Sequence, residues 1–575
     1  GAGAGGVSTA ARLAKAGFKV TVLEKNSFTG GRCSLLHASG HRFDQGPSLL
    51  LLPRLFHQTF ADLDTTLEDE GVKLIKCEPN YNIWFGDGGK FRLSTDLAVM
   101  KHEVEKWEGK EGYARYLEFL GESHKHYELS VEHVLLKNFT GLQSMLRLDF
   151  LRHLLDLHPF ESIWSRASRY FWTERLRRVF TFGSMYMGMS PFDAPGTYSL
   201  LQYTELAEGI WYPVGGFHRV VEALVGVGER LGVEYRLRTA VKRIVLEGDG
   251  RRAVGVEIEG GEVLKADVVV NNSDLVYAYN ELLPRESYAE SLEERPGSCS
   301  SISFYWGLKE KVPQLEAHNI FLAEEYKESF DAIFKKHLIP DEPSFYVNVP
   351  SRVDPTAAPE RKDTLVVLVP VGHLTHNTSS PNTPSTSNGS IKSSSPPDQP
   401  GLPPTPTQDW PTMIALARKT ILTTIATRTG TDLTPLILTE RTNDPTTWHH
   451  TFNLPQGSIL GLSHSFFNVL CFRPSTRARR AGPLDAYIKD LGGLYMVGAS
   501  AHPGTGVPIV LAGGRLVAEQ VCGDLGVRVP WGEKGRGRAV EEGERGTLDR
   551  VEKPGWGDLR GLVVVLMLVL MYLRS

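Results

Sequence analysis

The chain opens on GAGAGGVSTAARLAKAGFKVTVLEK, where Gly1, Gly3 and Gly6 stand in the spacing G-x-G-x-x-G. No other stretch restricts the possible folds as tightly. The first glycine permits the sharp turn after a strand, the second lets backbone approach a pyrophosphate, and the third lets a helix press on a sheet. The alanine-rich run 8–16 reads as that helix, with Gly17 as its stop, and its N-terminus offers unpaired N–H groups and a positive dipole end to phosphates. KVTVL at 19–23 reads as the second parallel strand, ending at Glu24. A carboxylate there accepts hydrogen bonds from ribose hydroxyls and repels a 2′-phosphate, so FAD or NAD is expected rather than NADP. A glycine turn without a ligand is the competing reading, and the helix, strand and acid at the expected distances argue against it. No strand precedes Gly1, so the sequence is expected to begin inside its fold.

The next residues extend the same site. KNSFTGGRCSLL carries Lys25 and places Gly30, Gly31 and Arg32 just past the strand, two glycines for close approach and a guanidinium fork suited to pyrophosphate oxygens. HRFDQGPSLLLLP follows, with a turn at Gly46 and Pro47 that is expected to lie beside the ligand.

With 575 residues the chain exceeds one ordinary domain, and 41% hydrophobic with 23% charged residues is a globular balance. The net charge of −4, from 63 basic and 67 acidic residues, gives no reason to expect nucleic acid. Five scattered cysteines without a C-x-x-C leave no metal site or redox dithiol to expect.

From 67 to 182 the text reads as helical and aromatic-rich, either a cap with a solvated face or a basic, aromatic surface facing a membrane. TFGSMYMGMSPFDAPG supplies small, Met and aromatic residues that suit an apolar pocket and equally an ordinary core. VEYRLRTAVKRIVLEGDGRRAVGVEIEGGEVLKADVVVNNSD reads as a β-meander with turns at GDG and EGG, Val241 lying at its first strand, and it returns to the nucleotide-binding sheet at 266–270. SISFYWGL and the run from SFYVNV to TLVVLVPV read as strands of a second, antiparallel sheet. Of the 35 residues 375–409, 22 are Ser, Thr or Pro, a composition unable to offset its ordering entropy, so a disordered insertion is expected.

LYMVGASAHPGTGVPIVLAGG, from 494, is the second anchor. A short buried strand leads into a loop in which Gly498, Gly506, Val507 and Pro508 bring backbone N–H groups close to a ligand, and a helix is expected from about Ile509. Its dipole would favour negative charge on a reduced flavin. His502 sits in this loop, where a structural hydrogen bond is the favoured reading over catalysis. Near the end, 562–573 holds twelve apolar residues, about 18 Å as helix, too short for a comfortable span. It reads as a membrane anchor, with a helix packed on its own protein or a partner as the alternative.

Three stretches, GAGAGG with LEKNSFTGGR, then YPVGGF, then LYMVGASAHPGTGVPIVLAGG, together resemble the phytoene desaturases of bacterial and fungal type, within the flavin amine oxidase superfamily. The insertion and the apolar C-terminal segment are similar to the fungal branch. The resemblance implies an α/β fold: a Rossmann-like, glutathione-reductase-like FAD-binding domain, an antiparallel-sheet substrate domain and a helical, membrane-facing cap. In segments, FAD-binding parts fall at 1–65, 211–280 with the meander, and 491–525. The cap falls at 66–210, and the substrate sheet at 281–374 and 410–490. A charged linker is expected at 526–560 and the anchor at 561–575. Implied with it are FAD along Gly1, Gly3, Gly6, Glu24, Lys25, Arg32, Val241 and the loop from Gly498 to Pro508, and stepwise desaturation of phytoene and partly desaturated carotenes to lycopene or 3,4-didehydrolycopene. The substrate would be drawn from a bilayer, with oxygen or a quinone as electron acceptor. An intracellular membrane such as the endoplasmic reticulum is the expected location, with the catalytic domain cytosolic and an oligomer allowed. No catalytic base can be singled out. Another flavin oxidoreductase, such as a carotenoid isomerase or amine oxidase, and a non-catalytic prenyl-lipid-binding protein of the same fold are the alternatives.

Overall fold

The computed structural model describes residues 1–375, 408–480 and 489–531. Most of the insertion and all of the apolar segment 562–573 therefore lie outside the described residues. The first helix spans Ala4–Lys15 and begins four residues earlier than its alanine run suggests. Gly5 and Gly6 are poor helix formers, but packing selects them: a Cβ on Gly5 would stand 2.6 Å from Asn272 Oδ1 and 2.8 Å from Val510. The strand Thr21–Leu23 pairs in parallel with Glu234–Arg236. A second parallel pair joins Val269–Asn271 to Lys489–Met496, whose other edge carries Arg477–Arg480. The meander Val241–Leu246, Ala253–Ile258 and Val263–Lys265 is antiparallel throughout.

The helix Val507–Asp524 starts two residues before its expected position, with Pro508 preorganising the first turn. It lies against Ala4–Lys15 so closely that a Cβ on Gly514 would meet Ser8 Oγ at 2.5 Å. Arg12, 1% exposed, locks the pair together. Its Nε donates to Asp62 at 3.0 Å and its Nη1 to the Leu511 carbonyl at 3.2 Å, while Arg515 reaches the other Asp62 oxygen at 3.2 Å.

The second sheet has seven strands in the order Ile437–Asn443, Ser300–Leu308, Thr364–Val371, Phe345–Asn348, His318–Phe321, Tyr81–Trp84 and Lys90–Leu93. It is mixed rather than antiparallel, because Tyr81–Trp84 runs parallel to His318–Phe321. Along Ser300–Leu308 the period of two separates the faces. Ile302, Phe304, Trp306 and Leu308 pack with Trp410, Met413, Ala417 and Ile421 of the helix Trp410–Thr429, while Ser301 points to a cavity and Tyr305 donates to the Gln45 carbonyl at 2.7 Å.

The expectation that 67–182 is helical throughout holds from Leu97 on and is corrected before it. Leu74–Cys77, Tyr81–Trp84 and Lys90–Leu93 are strands, each only four residues long and two of them carrying Lys or Arg, too little to show alternation, and within this stretch helix begins only at Leu97–Ser130. Asp96 caps that helix through the Ala98 N–H at 2.7 Å, and Gly109 (φ 69) breaks it. Short helices then follow, Leu148–His153, Ile163–Tyr170 and Glu174–Val179. Among the described residues no helix is long and apolar enough to cross a membrane.

Candidate functional site

Both glycine-rich helices aim their N-termini into one cavity of about 1520 Å³. Gly3 and Gly506 stand at their N-caps and offer no side chain to the first N–H groups, which remain available to an anion. Three glycines cannot be replaced without collision. A Cβ would lie 2.0 Å from the Gly1 carbonyl at Gly6, 2.3 Å from the Cys33 carbonyl at Gly30 and 2.5 Å from the Arg32 carbonyl at Gly46. Glu24, buried at the end of its strand, closes the turn: Oε2 accepts the Ala2 N–H at 2.8 Å and Oε1 the Asn26 N–H at 2.9 Å. Each oxygen keeps a lone pair for a ribose hydroxyl.

All of the residues read from the sequence as ligand-binding line this one cavity: Gly1, Gly3, Gly6, Glu24, Lys25, Gly30, Gly31, Arg32, Gly46, Pro47, Val241, Gly498, Gly506, Val507 and Pro508. Some are tied to other segments. Lys25 Nζ donates to the His450 carbonyl at 2.9 Å and to Asn453, and Arg32 Nη1 donates to the Ile459 carbonyl. Gly498 (φ 124) and Gly506 (φ 102) adopt backbone conformations that favour glycine.

Sequence reasoning missed Asn272 and Arg473. Asn272 follows Val269–Asn271 and clasps the glycine turn, donating from Nδ2 to the Gly1 carbonyl at 3.2 Å. Arg473, 1% exposed, donates to the carbonyls of Ala501 (3.1 Å), Ser463 (3.0 Å), Asn468 (2.8 Å), Leu462 (3.3 Å) and Ala499, holding the 498–506 loop against the cavity. The polar run after the strand was the one available signal for Asn272; nothing local marks Arg473. His502 does not line the cavity. Its Nε2 donates to the Lys137 carbonyl at 2.8 Å, and burial pushes the imidazole down to about 4, so it is a neutral structural group.

Away from the glycines the cavity wall becomes apolar, with Leu135, Leu154, Leu157, Met185, Tyr186, Met187, Leu200 and Leu201. Single small-molecule pockets occupy roughly 300–1,000 Å³, so this volume accommodates a dinucleotide at the glycine end and a long apolar molecule beyond it. A two-phosphate ligand fits the glycine end on three counts: uncapped helix N-termini, glycines no larger residue can replace, and a buried acid with free lone pairs. A cluster of possible metal ligands, Glu122, His126 and His158, is already engaged. Arg166 pairs with Glu122, and His126 bonds Ser199 Oγ at 2.7 Å and the Asp156 carbonyl at 3.0 Å.

Residues 4–385 match the family of flavin containing amine oxidoreductases. The chain is similar to a phytoene desaturase of Cercospora nicotianae, 71% identical across 97% of this chain and 94% of the relative. A phytoene desaturase of Fusarium fujikuroi is 59% identical across 99% of this chain and 96% of its own. In fold the chain is similar to an oxidoreductase of Methanosarcina mazei, with a TM-score of 0.56 at 16% identity over 90% of this chain and 98% of that one. The chain belongs to the flavin-containing amine oxidoreductase family, among its fungal-type phytoene desaturases.

Proposed function

We infer that this chain binds FAD and desaturates phytoene stepwise, toward lycopene or 3,4-didehydrolycopene, in carotenoid biosynthesis. The observation that carries the reading is identity of 71% with a phytoene desaturase across nearly the whole chain, together with a cavity that is glycine-lined at one end and hydrocarbon-lined at the other. When bound, FAD would supply a two-electron acceptor. The chain's own residues do the rest. The uncapped N-termini at Gly3 and Gly506 and the Arg32 fork suit the pyrophosphate, and Glu24 suits the ribose. The apolar wall binds a substrate that has nothing to hydrogen-bond, excludes water and aligns the reacting C–H bonds. Expression of the chain in cells that accumulate phytoene, with pigment analysis, tests the reading: coloured, more unsaturated carotenes are expected, and unchanged phytoene would refute it.

Glu24→Ala is expected to reduce flavin retention by roughly one to two orders of magnitude, because each charge-assisted hydrogen bond contributes about 1.5–3 kcal/mol. Flavin absorbance per protein after gel filtration measures it, and full occupancy would place the ribose elsewhere.

The working location in this reading is an intracellular membrane such as the endoplasmic reticulum, with reoxidation by oxygen or a quinone. A pure hydrocarbon must be collected from a bilayer, and an apolar patch supports this. Phe160 (52% exposed) and Phe467 (37% exposed) flank Phe466, which lines the apolar end of the cavity. Burying the exposed part of each ring in lipid contributes about 0.5–1.5 kcal/mol, a third to a half of what a fully exposed phenylalanine would contribute. In a chain truncated before residue 562, Phe160→Ser with Phe467→Ser is expected to lower partitioning onto phospholipid vesicles by about one to two orders of magnitude, with flavin retained. Unchanged vesicle flotation would exclude this face as the contact.

A further inference from the structure

Behind the apolar wall lies a fully buried carboxyl that the binding of substrate and cofactor does not use. Glu205 stands in Thr204–Glu208, a single π-helical turn, the kind of local widening that recurs at functional sites. Its Oε1 accepts from Tyr81 Oη at 3.0 Å, and Tyr81 Oη in turn accepts from Tyr186 Oη at 2.7 Å. Tyr186 lines the cavity, whereas Tyr81 is wholly buried on the strand Tyr81–Trp84. The second carboxyl oxygen, Oε2, is buried with no hydrogen-bond partner among the described residues. The chain of donors thus runs in one direction, from the cavity wall to a carboxyl, and ends there.

A structural acid would ordinarily be neutralised by a cation or saturated by N–H donors. Here the titratable groups facing the cluster are Tyr81, Tyr186 and Tyr346, with the His318 ring 6.0 Å from that of Tyr81, and Glu208 on the same turn is engaged by Thr204 and Tyr127. No lysine or arginine hydrogen-bonds Glu205 among the described residues. Burial pushes the Glu205 carboxyl up to about 8, against the pull of the Tyr81 hydrogen bond. Burial also drives His318 down to about 3, so no imidazolium offsets the acid.

We propose that Glu205, acting through Tyr81 and Tyr186, receives the proton that each desaturation step removes from the hydrocarbon. The inference rests on the reaction proposed above. One C–H bond of the substrate would break with its hydrogen and electron pair leaving together, to the two-electron acceptor that FAD would supply when bound. The C–H bond on the neighbouring carbon breaks the other way, its electron pair becoming the new C=C bond and its proton passing to Tyr186 Oη. Tyr186 hands its own hydroxyl proton to Tyr81, and Tyr81 hands its proton to the Glu205 carboxylate, which ends as a carboxylic acid. Both tyrosines finish neutral. Oxygen or a quinone, as terminal acceptor, would take up the two electrons with two protons, the one that left with the electron pair and the one returned along the relay, which leaves Glu205 ionised for the next step. Tyr186 is the group in contact with substrate, and Tyr81 and Glu205 act through it.

The test uses the full chain with flavin bound and phytoene supplied in phosphatidylcholine vesicles. Wild-type kcat is expected to rise with pH through about 8, as the carboxyl ionises. Glu205→Gln keeps the shape and the Tyr81 hydrogen bond but takes no proton. It is expected to lower kcat about a hundredfold with KM and flavin content unchanged, and to abolish the pH rise. Glu205→Asp should recover part of kcat together with the pH rise, which a merely structural acid would not do. Independently of turnover, infrared spectra of the resting protein should contain a protonated-carboxyl band that fades as pH rises through about 8 and is missing from Glu205→Gln. Tyr186→Phe, a change at the cavity wall, should lose the same pH rise even where the glutamine variant folds poorly. A Glu205→Gln enzyme with wild-type kcat and pH profile overturns the relay while leaving the desaturase reading intact. A wild-type protein that never desaturates phytoene removes both.

Discussion

Arg473→Met is expected to yield a protein that has lost on the order of 3–5 kcal/mol of stability and most of its flavin. The guanidinium is 1% exposed and donates to five backbone carbonyls, those of Leu462, Ser463, Asn468, Ala499 and Ala501. Each carbonyl left buried without a donor costs about 1–3 kcal/mol. Against this, removing the charge recovers its own desolvation, which is large enough to pull the Arg473 pKa down to about 10. Five orphaned acceptors outweigh one relieved charge, so the sign is destabilising. Arg473→Lys is expected to fail almost as badly, since an ammonium has three donors on a flexible stem where the fork presents five in a plane. Flavin loss follows from the same contacts, because Ala499 and Ala501 belong to the loop that carries Gly498 and Gly506 to the cavity. Denaturant titration and flavin absorbance measure the two effects separately. A lysine variant as stable as wild type would mean that the carbonyls find other donors.

The parts of this molecule that could be read from sequence are those whose chemistry is local. Gly1, Gly3, Gly6 and Glu24 lie within one short turn–helix–strand stretch, Ala4–Lys15 and Thr21–Leu23 with their flanks, so their spacing encodes their geometry, and the loop from Gly498 to Pro508 is equally self-contained. Asn272 could not be read in the same way, because the carbonyl it grips is 271 positions away. Arg473 looks like any surface arginine until five carbonyls from three stretches converge on it. The strands Leu74–Cys77 and Lys90–Leu93 were hidden for another reason: at four residues each, with Lys76, Lys90 and Arg92 inside them, they carry too little apolar alternation to register. The parallel pairing of Tyr81–Trp84 with His318–Phe321 is a product of tertiary topology, and with it comes the placement of Tyr81 beside Glu205. The start of the first helix was misread because propensity counts Gly5 and Gly6 as breakers, whereas the close approach of Asn272 and Val510 leaves room for nothing larger.

That close approach makes one substitution opposite in sign at two positions. Gly121→Ala, on an exposed part of the helix Leu97–Ser130, places its new Cβ with nothing inside 4 Å and is expected to stabilise the fold by about 0.5–1 kcal/mol. Gly6→Ala gains the same backbone entropy and loses far more. Its Cβ would stand 2.0 Å from the Gly1 carbonyl oxygen and 3.0 Å from Asn272 Nδ2, and the first of these is backbone, which no rotamer change can move aside. The turn must open, and the opening displaces two things that hold the ligand: the Ala2 N–H on Glu24 and the Gly3 N-cap of the helix. Overpacking of this kind costs about 1–3 kcal/mol or more, which at about 1.4 kcal/mol per decade weakens flavin binding by roughly fivefold to a hundredfold or more. The loss should fall on the cofactor before it falls on the fold, because the seven-stranded sheet and its core against Trp410–Thr429 do not include the turn. Thermal unfolding in the presence and absence of added FAD separates the two: Gly6→Ala should lose the cofactor-dependent rise in Tm while keeping a cooperative transition, and Gly121→Ala should raise Tm with the FAD increment intact. A Gly6→Ala protein that purifies with full flavin would show that the turn has room the geometry denies it, and the phosphates would then have to be held chiefly from the Gly506 side.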